Sequence, residues 1–248
     1  REKSATWSPD GRWIAFLSDK SGEEEIYLVA QDGSGEPEQL TDGGQAMRYA
    51  PAWSANGKHI AFSDKDGKLY VLEVETKALK EIADEARGQL RDYTWSPNGG
   101  HLAFSMSDEN GFRAIYIWSA ADGEARRITG EMFNEFSPAW DPEGNYLYYF
   151  SDREFAPQIS ASEWNYANDR ETGIFALALR KDVANPFGPE SDEVTLEEEG
   201  DKGDGGDSAK DRKKKKGKDE EKADDDDDDE KSDEPVKIDF DGLASRVA

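Results

Sequence analysis

Cysteine is absent from the 248 residues, which excludes disulfides and thiolate metal sites and leaves the redox compartment undecided. Histidine is nearly absent too, with His59 and His101 the only copies, so imidazole-based catalysis has little to draw on. No His-Glu-x-x-His pattern, nucleophile elbow or glycine-rich phosphate loop occurs. The nearest approach, Gly206-Asp207-Ser208-Ala209-Lys210, lacks the second glycine. Long apolar runs are missing: Ile174 to Leu179 is the longest and is far too short to span a bilayer. Sustained helical periodicity is missing from residues 1–150. The chain starts at Arg1 without methionine or an apolar leader and stops at Val247-Ala248 in strand-like sequence. Both ends read as cuts, so the missing leader carries no weight.

What is there is a repeat. Trp7-Ser8-Pro9-Asp10-Gly11, followed by Ile14-Ala15-Phe16, recurs with tryptophans at Trp53, Trp95 and Trp140. Glycine stands four places later in every copy (Gly11, Gly57, Gly99, Gly144). A branched aliphatic stands seven places later (Ile14, Ile60, Leu102, Leu147) and an aromatic nine places later (Phe16, Phe62, Phe104, Tyr149). Three columns agreeing across four copies at a period of about 40 to 50 residues predict propeller blades.

Each unit reads as four short strands. Around the second copy these are Ala50 to Ser54, with a proline at a strand start, then His59 to Phe62, Lys68 to Leu72 and Leu79 to Ile82. Asn56-Gly57 reads as a two-residue hairpin turn, and Lys68 to Leu72 alternates as a half-buried strand does. The fold class is all-β: a partial β-propeller of about four four-stranded antiparallel blades plus the start of a further blade. The expected division is blades over 1–189, a disordered charged insertion over 190–234, and the start of the next blade over 235–248.

The net charge of −25 is concentrated. Residues 190–234 hold 22 Asp/Glu against 10 Lys/Arg, including Lys213 to Lys216 and Asp224 to Asp229. Such a stretch cannot bury enough apolar surface to offset ordering entropy. An unbroken aspartate run lacks the glycine-turned ligand spacing of a calcium loop, so a solubilising loop is the plainer reading. The remainder is still acidic, which argues against a nucleic-acid partner.

His59 and His101 each stand six places after a repeat tryptophan, where the other copies carry Trp13 and Tyr146. Equivalent places in a repeat are structural places. The pairs Ser18-Asp19, Ser63-Asp64, Ser107-Asp108 and Ser151-Asp152 suit turns after strands. In the fourth copy the third strand, Ile174 to Leu177, begins 34 residues after Trp140. The extra sequence includes Glu154-Phe155-Ala156-Pro157 and Trp164 to Asn168, and is either a functional loop or an excursion over its own blade.

The repeat phrase, with Ile26-Tyr27 after it, resembles that of TolB, prolyl-oligopeptidase-type and tricorn propellers. Ala176 to Asp182, Asn185-Pro186-Phe187, Pro235 to Leu243 and Arg246-Val247 are together similar to the second, seven-bladed propeller of tricorn-type serine proteases. The charged run is longer than that resemblance leads one to expect. It implies a parent enzyme that is cytoplasmic and homo-oligomeric, a hexamer, cutting oligopeptides with serine, histidine and glutamate outside this stretch. No catalytic residue carries over, and no cofactor or metal is implied. The propeller would act as a filter or channel for peptide substrates, with neither nucleic acid nor membrane as partner. The alternatives are a TolB-like protein-interaction propeller, hence a periplasmic one, and the cap of a prolyl-oligopeptidase-like hydrolase. In this repeat the loop before each first strand should lead to the ring axis. That places Arg48, Tyr49, Arg91, Asp92, Asn134 and Glu135 at one mouth of the channel.

Overall fold

The loop after each repeat tryptophan fixes the register of the strands beside it. In the first copy the Ser8 hydroxyl accepts from Trp13 N at 2.9 Å, and Asp10 Oδ1 accepts from Arg12 N at 3.1 Å. Ser54 with Asn56 and Ser96 with Asn98 repeat these contacts, and in the fourth copy Asp141 replaces the serine, accepting from Asn145 N at 3.0 Å. The turn at Asn56-Gly57 differs from the expected two-residue hairpin. It closes from Ser54 to His59, Ser54 N donating to His59 O at 2.9 Å, and Gly57 alone is left-handed, at φ 70°. A type I′ turn needs positive φ at both central residues. Asn56 instead turns its side chain onto Lys58 N.

The computed structural model describes residues 1–154, 158–159, 166–167, 172–188 and 236–248. The chain divides into two compact units, Arg1–Phe187 with Lys231–Ala248, and Gly188–Glu230. All described residues but Gly188 lie in the first. The expected disordered run at 190–234, and the aromatic insertion apart from the residues of its short strands, lie outside the described residues.

Blade one is β1 (Glu2–Trp7), β2 (Trp13–Ser18), β3 (Glu25–Ala30) and β4 (Glu38–Gln39), hydrogen-bonded in chain order. Blade two is β5 (Ala52–Trp53), β6 (His59–Ser63), β7 (Lys68–Glu73) and β8 (Leu79–Asp84). Blade three is β9 (Tyr93–Trp95), β10 (His101–Ser107), β11 (Arg113–Ser119) and β12 (Ala125–Arg127). Blade four contains β13 (Glu135–Trp140), β14 (Tyr146–Ser151) and β17 (Gly173–Ala178), with a separate two-stranded sheet, β15 (Gln158–Ile159) and β16 (Tyr166–Ala167), between the last two. All pairings are antiparallel. The only helix among the described residues is one 3-10 turn, Leu243–Ser245. The architecture is that of a partial β-propeller.

The end of the segment 236–248 pairs with blade four. Val247 bridges Leu177, and Ala248 and Ala176 exchange both backbone hydrogen bonds, at 2.8 and 3.1 Å. This is the edge the fourth strand covers in the other blades, and pairing there satisfies backbone groups that β17 would leave open.

Strand alternation sorts side chains between neighbouring blades. In β7, Leu69 and Val71 join the core shared with Leu102 and Phe104 of blade three. Tyr70 and Leu72 face the opposite way, into the core with Leu17, Ile26 and Leu28 of blade one. A third core joins Ile115 and Ile117 of blade three to Leu147, Tyr149 and Leu177 of blade four, with Val236, Ile238 and Phe240 packed against it. Each blade also stacks the aromatic of the ninth-place column on the residue opposite it in the third strand. The pairs are Phe16–Tyr27 (5.8 Å), Phe62–Tyr70 (5.1 Å), Phe104–Tyr116 (5.5 Å) and Tyr149–Phe175 (6.2 Å).

The repeat tryptophans tie blade to blade. Trp53, Trp95 and Trp140 donate their indole N–H to Thr6 O (3.4 Å), Ala52 O (3.0 Å) and Thr94 O (3.1 Å). Each acceptor is the residue just before the preceding tryptophan. These bonds run from first strand to first strand, so the first strands of successive blades converge.

Candidate functional site

The six residues expected at one mouth all lie in or beside the segments that lead into first strands, and the structure gives them different tasks. Arg48 is 6% exposed. Its guanidinium reaches back to blade one, pairing with Glu25 at 2.6 Å and lying 5.0 Å from the Phe62 ring centroid. It also donates to Thr41 Oγ1. Glu25 is itself buried and accepts from the Thr41 hydroxyl at 2.6 Å and Gly44 N at 2.7 Å. The main chain of Arg48 is held as well, its N–H donating to Glu24 Oε2 at 2.9 Å. This is a desolvated clamp between two blades.

Glu135 is 1% exposed and pairs with Arg153 of the following strand's end. Arg153 lies over Phe175 at 4.4 Å and Phe133 at 5.6 Å, and donates to the Tyr149 hydroxyl at 3.1 Å. Burial pushes the Tyr149 phenol up to about 12, so it stays protonated at neutral pH. Asn134 accepts from Arg113 N at 3.2 Å through its side chain and from Asp152 N at 3.0 Å through its carbonyl. Asp92 accepts from the Ser105 hydroxyl and, across the blade boundary, from Ser137 N at 2.7 Å.

The remaining two come together. The Arg91 guanidinium stacks on the Tyr49 ring at 3.7 Å from its centroid, and Arg91 is solvent-exposed. Tyr49 N donates to Ser63 O at 2.8 Å, which fixes the ring's backbone. The stack joins blades two and three, with the guanidinium open to solvent and the half-buried Tyr49 ring beneath it.

Arg153, Glu25 and Glu24 escape the sequence reading because they lie outside the repeat columns considered there. A partial signal existed: five places before the last three tryptophans stand Arg48, Leu90 and Glu135, all buried, and charge alternating with leucine at one repeat place points to burial where charges need partners.

The histidines take structural places. His59 stacks on Trp95 at 5.9 Å and meets Trp118 edge-on at 6.0 Å, and His101 lies against Trp140 at 6.3 Å. Burial holds both imidazoles below their ordinary value, and the Nδ1 of each is buried without a hydrogen-bond partner. Among the described residues no group of three or more His, Asp or Glu side chains could hold a metal ion, and no helix is long and apolar enough to cross a membrane.

The family model described as the tricorn protease second beta propeller domain matches residues 1–248. The chain is similar to the tricorn protease of Thermoplasma volcanium, 25% identical over an alignment of 209 residues that covers 75% of this chain and 20% of that protein. It is also similar to the Tol-Pal system protein TolB of Francisella tularensis subsp. mediasiatica, 26% identical over 191 residues, 74% of this chain and 43% of that one. The crystal structure of the tricorn protease superposes with a TM-score of 0.67 at 19% identity, over 75% of this chain and 18% of that one, which is a likeness of fold. The chain thus spans about a fifth of the length of the tricorn protease it matches. With four blades tied by a repeating tryptophan bond and a family match along the full length, the chain belongs to the family of tricorn protease second β-propeller domains.

Proposed function

We propose that this chain is the propeller segment of a cytoplasmic, homo-oligomeric (hexameric) serine-type peptidase that degrades oligopeptides, and that it admits and guides peptides without cutting them. Its catalytic residues would lie elsewhere in the parent protein. The proposed division is blades over 1–189, a charged insertion over 190–234 in the connection between the third and fourth strands of blade four, and a final segment over 235–248. The observation that carries the reading is the solvent-exposed Arg91, stacked on the half-buried Tyr49 beside the converging first strands. A guanidinium on an aromatic face meets extended peptide through carbonyl oxygens and apolar side chains alike, which suits passage better than tight capture. Arg48, Asp92, Asn134 and Glu135 would hold that mouth in shape.

The test uses the full-length enzyme with Arg91→Ala and Tyr49→Ala. Turnover of long peptides should change while a dipeptide-sized reporter is cleaved at the parent rate. Equal loss on both substrates refutes the channel role.

The similarity to TolB favours a second reading, a propeller that binds a partner protein. Absence of peptidase activity from the full-length protein, together with stoichiometric capture of a folded partner, would decide for it.

A further inference from the structure

Blade three presents three large apolar side chains to solvent from two neighbouring connections. Phe112, between β10 and β11, is 41% exposed, and Met132 and Phe133, between β12 and β13, are 74% and 36% exposed. Blades two and four pack against blade three on either side, so this exposure does not come from an open end of the array. The two connections run side by side: Asn110 Nδ2 donates to Glu131 O at 2.7 Å, and Arg113 N donates to Asn134 Oδ1 at 3.2 Å. Phe112 lies between these two rungs on one segment, and Met132 and Phe133 lie between them on the other. Single exposed apolar residues are ordinary, but three gathered at one place mark a contact surface.

The platform beneath them is held from several directions. Arg127 donates to Asp108 in one connection and to Gly130 O in the other. Arg87 donates to Glu109 O at 2.9 Å, and Arg153 lies 5.6 Å from the Phe133 ring centroid. A surface already fixed in shape costs a partner little ordering, and a methionine within it adapts to varied side chains. The rim carries carboxylates. Glu109 stands three places before Phe112 and Glu131 one place before Met132, and both are exposed. Glu131 stays open although Arg127 reaches it at 3.3 Å, while Arg87, Arg127 and Arg153 are engaged within the platform.

We propose that Phe112, Met132 and Phe133 form a docking surface for extended peptide segments in which large apolar residues alternate with lysine or arginine. The apolar side chains of the peptide cover the patch, and its cations meet Glu109 and Glu131. Charge complementarity selects this occupant. An acidic apolar segment brings carboxylate against carboxylate, and a second copy of this chain, at a net charge of −25, fits poorly for the same reason. In antiparallel blades the connections from second to third strand and from fourth to first leave at one end, so the patch shares an end with Arg91 and Tyr49. On the peptide-guiding reading given above, on which this assignment depends, cationic apolar segments are the class that end receives.

The experiment is stopped-flow fluorescence anisotropy on the full-length protein, read before turnover. Three labelled peptides of equal length are the probes: one alternates lysine with leucine, one glutamate with leucine, and one lysine with serine. The lysine–leucine peptide should bind tightest, and added salt should weaken it. Phe112→Ser with Met132→Ser should weaken it by about tenfold and, since both side chains are exposed, leave the melting temperature unchanged. Glu109→Gln with Glu131→Gln should cut its advantage over the glutamate–leucine peptide by about fivefold. Equal binding of all three peptides overturns the proposal, as does lysine–leucine binding that neither variant changes. Peptide affinity that falls as protein concentration rises assigns the face to a second copy and overturns it too. Arg91→Ala with Tyr49→Ala is the separate arm for the channel reading. If only that pair alters long-peptide turnover and the patch variants alter no binding, the patch proposal alone fails; if the patch variants alter binding and that pair leaves turnover unchanged, the channel reading alone fails.

Discussion

The indole N–H of Trp95 lies 3.0 Å from the main-chain oxygen of Ala52, while its ring stacks on His59 and meets Trp118 edge to face at 6.1 Å. One side chain thus supplies a hydrogen bond, two ring contacts and apolar area to the boundary between blades two and three. Trp95→Ala should lower stability by about 3 to 5 kcal/mol. Trp7→Ala, at the same repeat position but exposed, should cost less than about 1 kcal/mol in this chain. Urea titration of both variants checks the contrast, and equal costs would mean that the tie between blades contributes nothing.

The Arg48–Glu25 pair makes a different prediction. Both groups are nearly inaccessible, so removing one strands the other as a buried charge. Arg48→Ala or Glu25→Ala should each cost about 3 to 5 kcal/mol, whereas the double replacement Arg48→Met with Glu25→Leu should be much closer to neutral. A double-mutant cycle by urea denaturation measures this directly.

Stability should also fall in mild acid. Burial depresses the folded-state values of His59 and His101 below the ordinary 6.5, so the unfolded chain binds protons first as pH drops. The contribution of the neutral rings is complete above the unfolded value and is lost as pH falls from about 7 through 6.5 toward the folded values. The Tm should therefore decline between about pH 7 and pH 5. The double variant His59→Phe with His101→Phe should flatten that part of the curve, and an unchanged slope would show that other groups control it.

Two turn glycines with nearly the same φ should respond unequally to alanine. Gly11, at φ 69°, has open space where a Cβ would lie, while at Gly99, φ 71°, a Cβ would come within 2.9 Å of Asn56 N. Gly11→Ala should cost about 1 to 2 kcal/mol, the left-handed penalty alone. Gly99→Ala should cost clearly more, since the added atom meets the backbone of the neighbouring blade. Melting temperatures of the two variants rank them.

The columns after each tryptophan were legible in the sequence because they record local geometry and burial. Gly57 marks a left-handed turn, and Phe62 marks the partner of Tyr70 across two adjacent strands. The structural role of His59 and His101 followed from the same logic of equivalent places, whereas their tryptophan partners did not. The contacts of the residues expected at a mouth were less legible. Arg48 looks like any loop arginine in sequence, and its burial depends on Glu25 and Thr41 arriving from another blade. The return of Val247 to β17 was hidden as well, since two residues of edge pairing leave no periodic trace and their partner lies 70 positions away.

That return has a consequence for how blade four is assembled. Its outermost pairing joins Val247 to Leu177, 70 positions apart in sequence but on one covalent chain. Residues 236–248 therefore behave toward blade four as a tethered ligand toward its receptor, with Val236, Ile238, Phe240 and Leu243 as the apolar anchors and the tether setting an effective concentration. Cutting the tether would turn an intramolecular strand into a peptide whose occupancy depends on its own concentration, and blade four would become titratable.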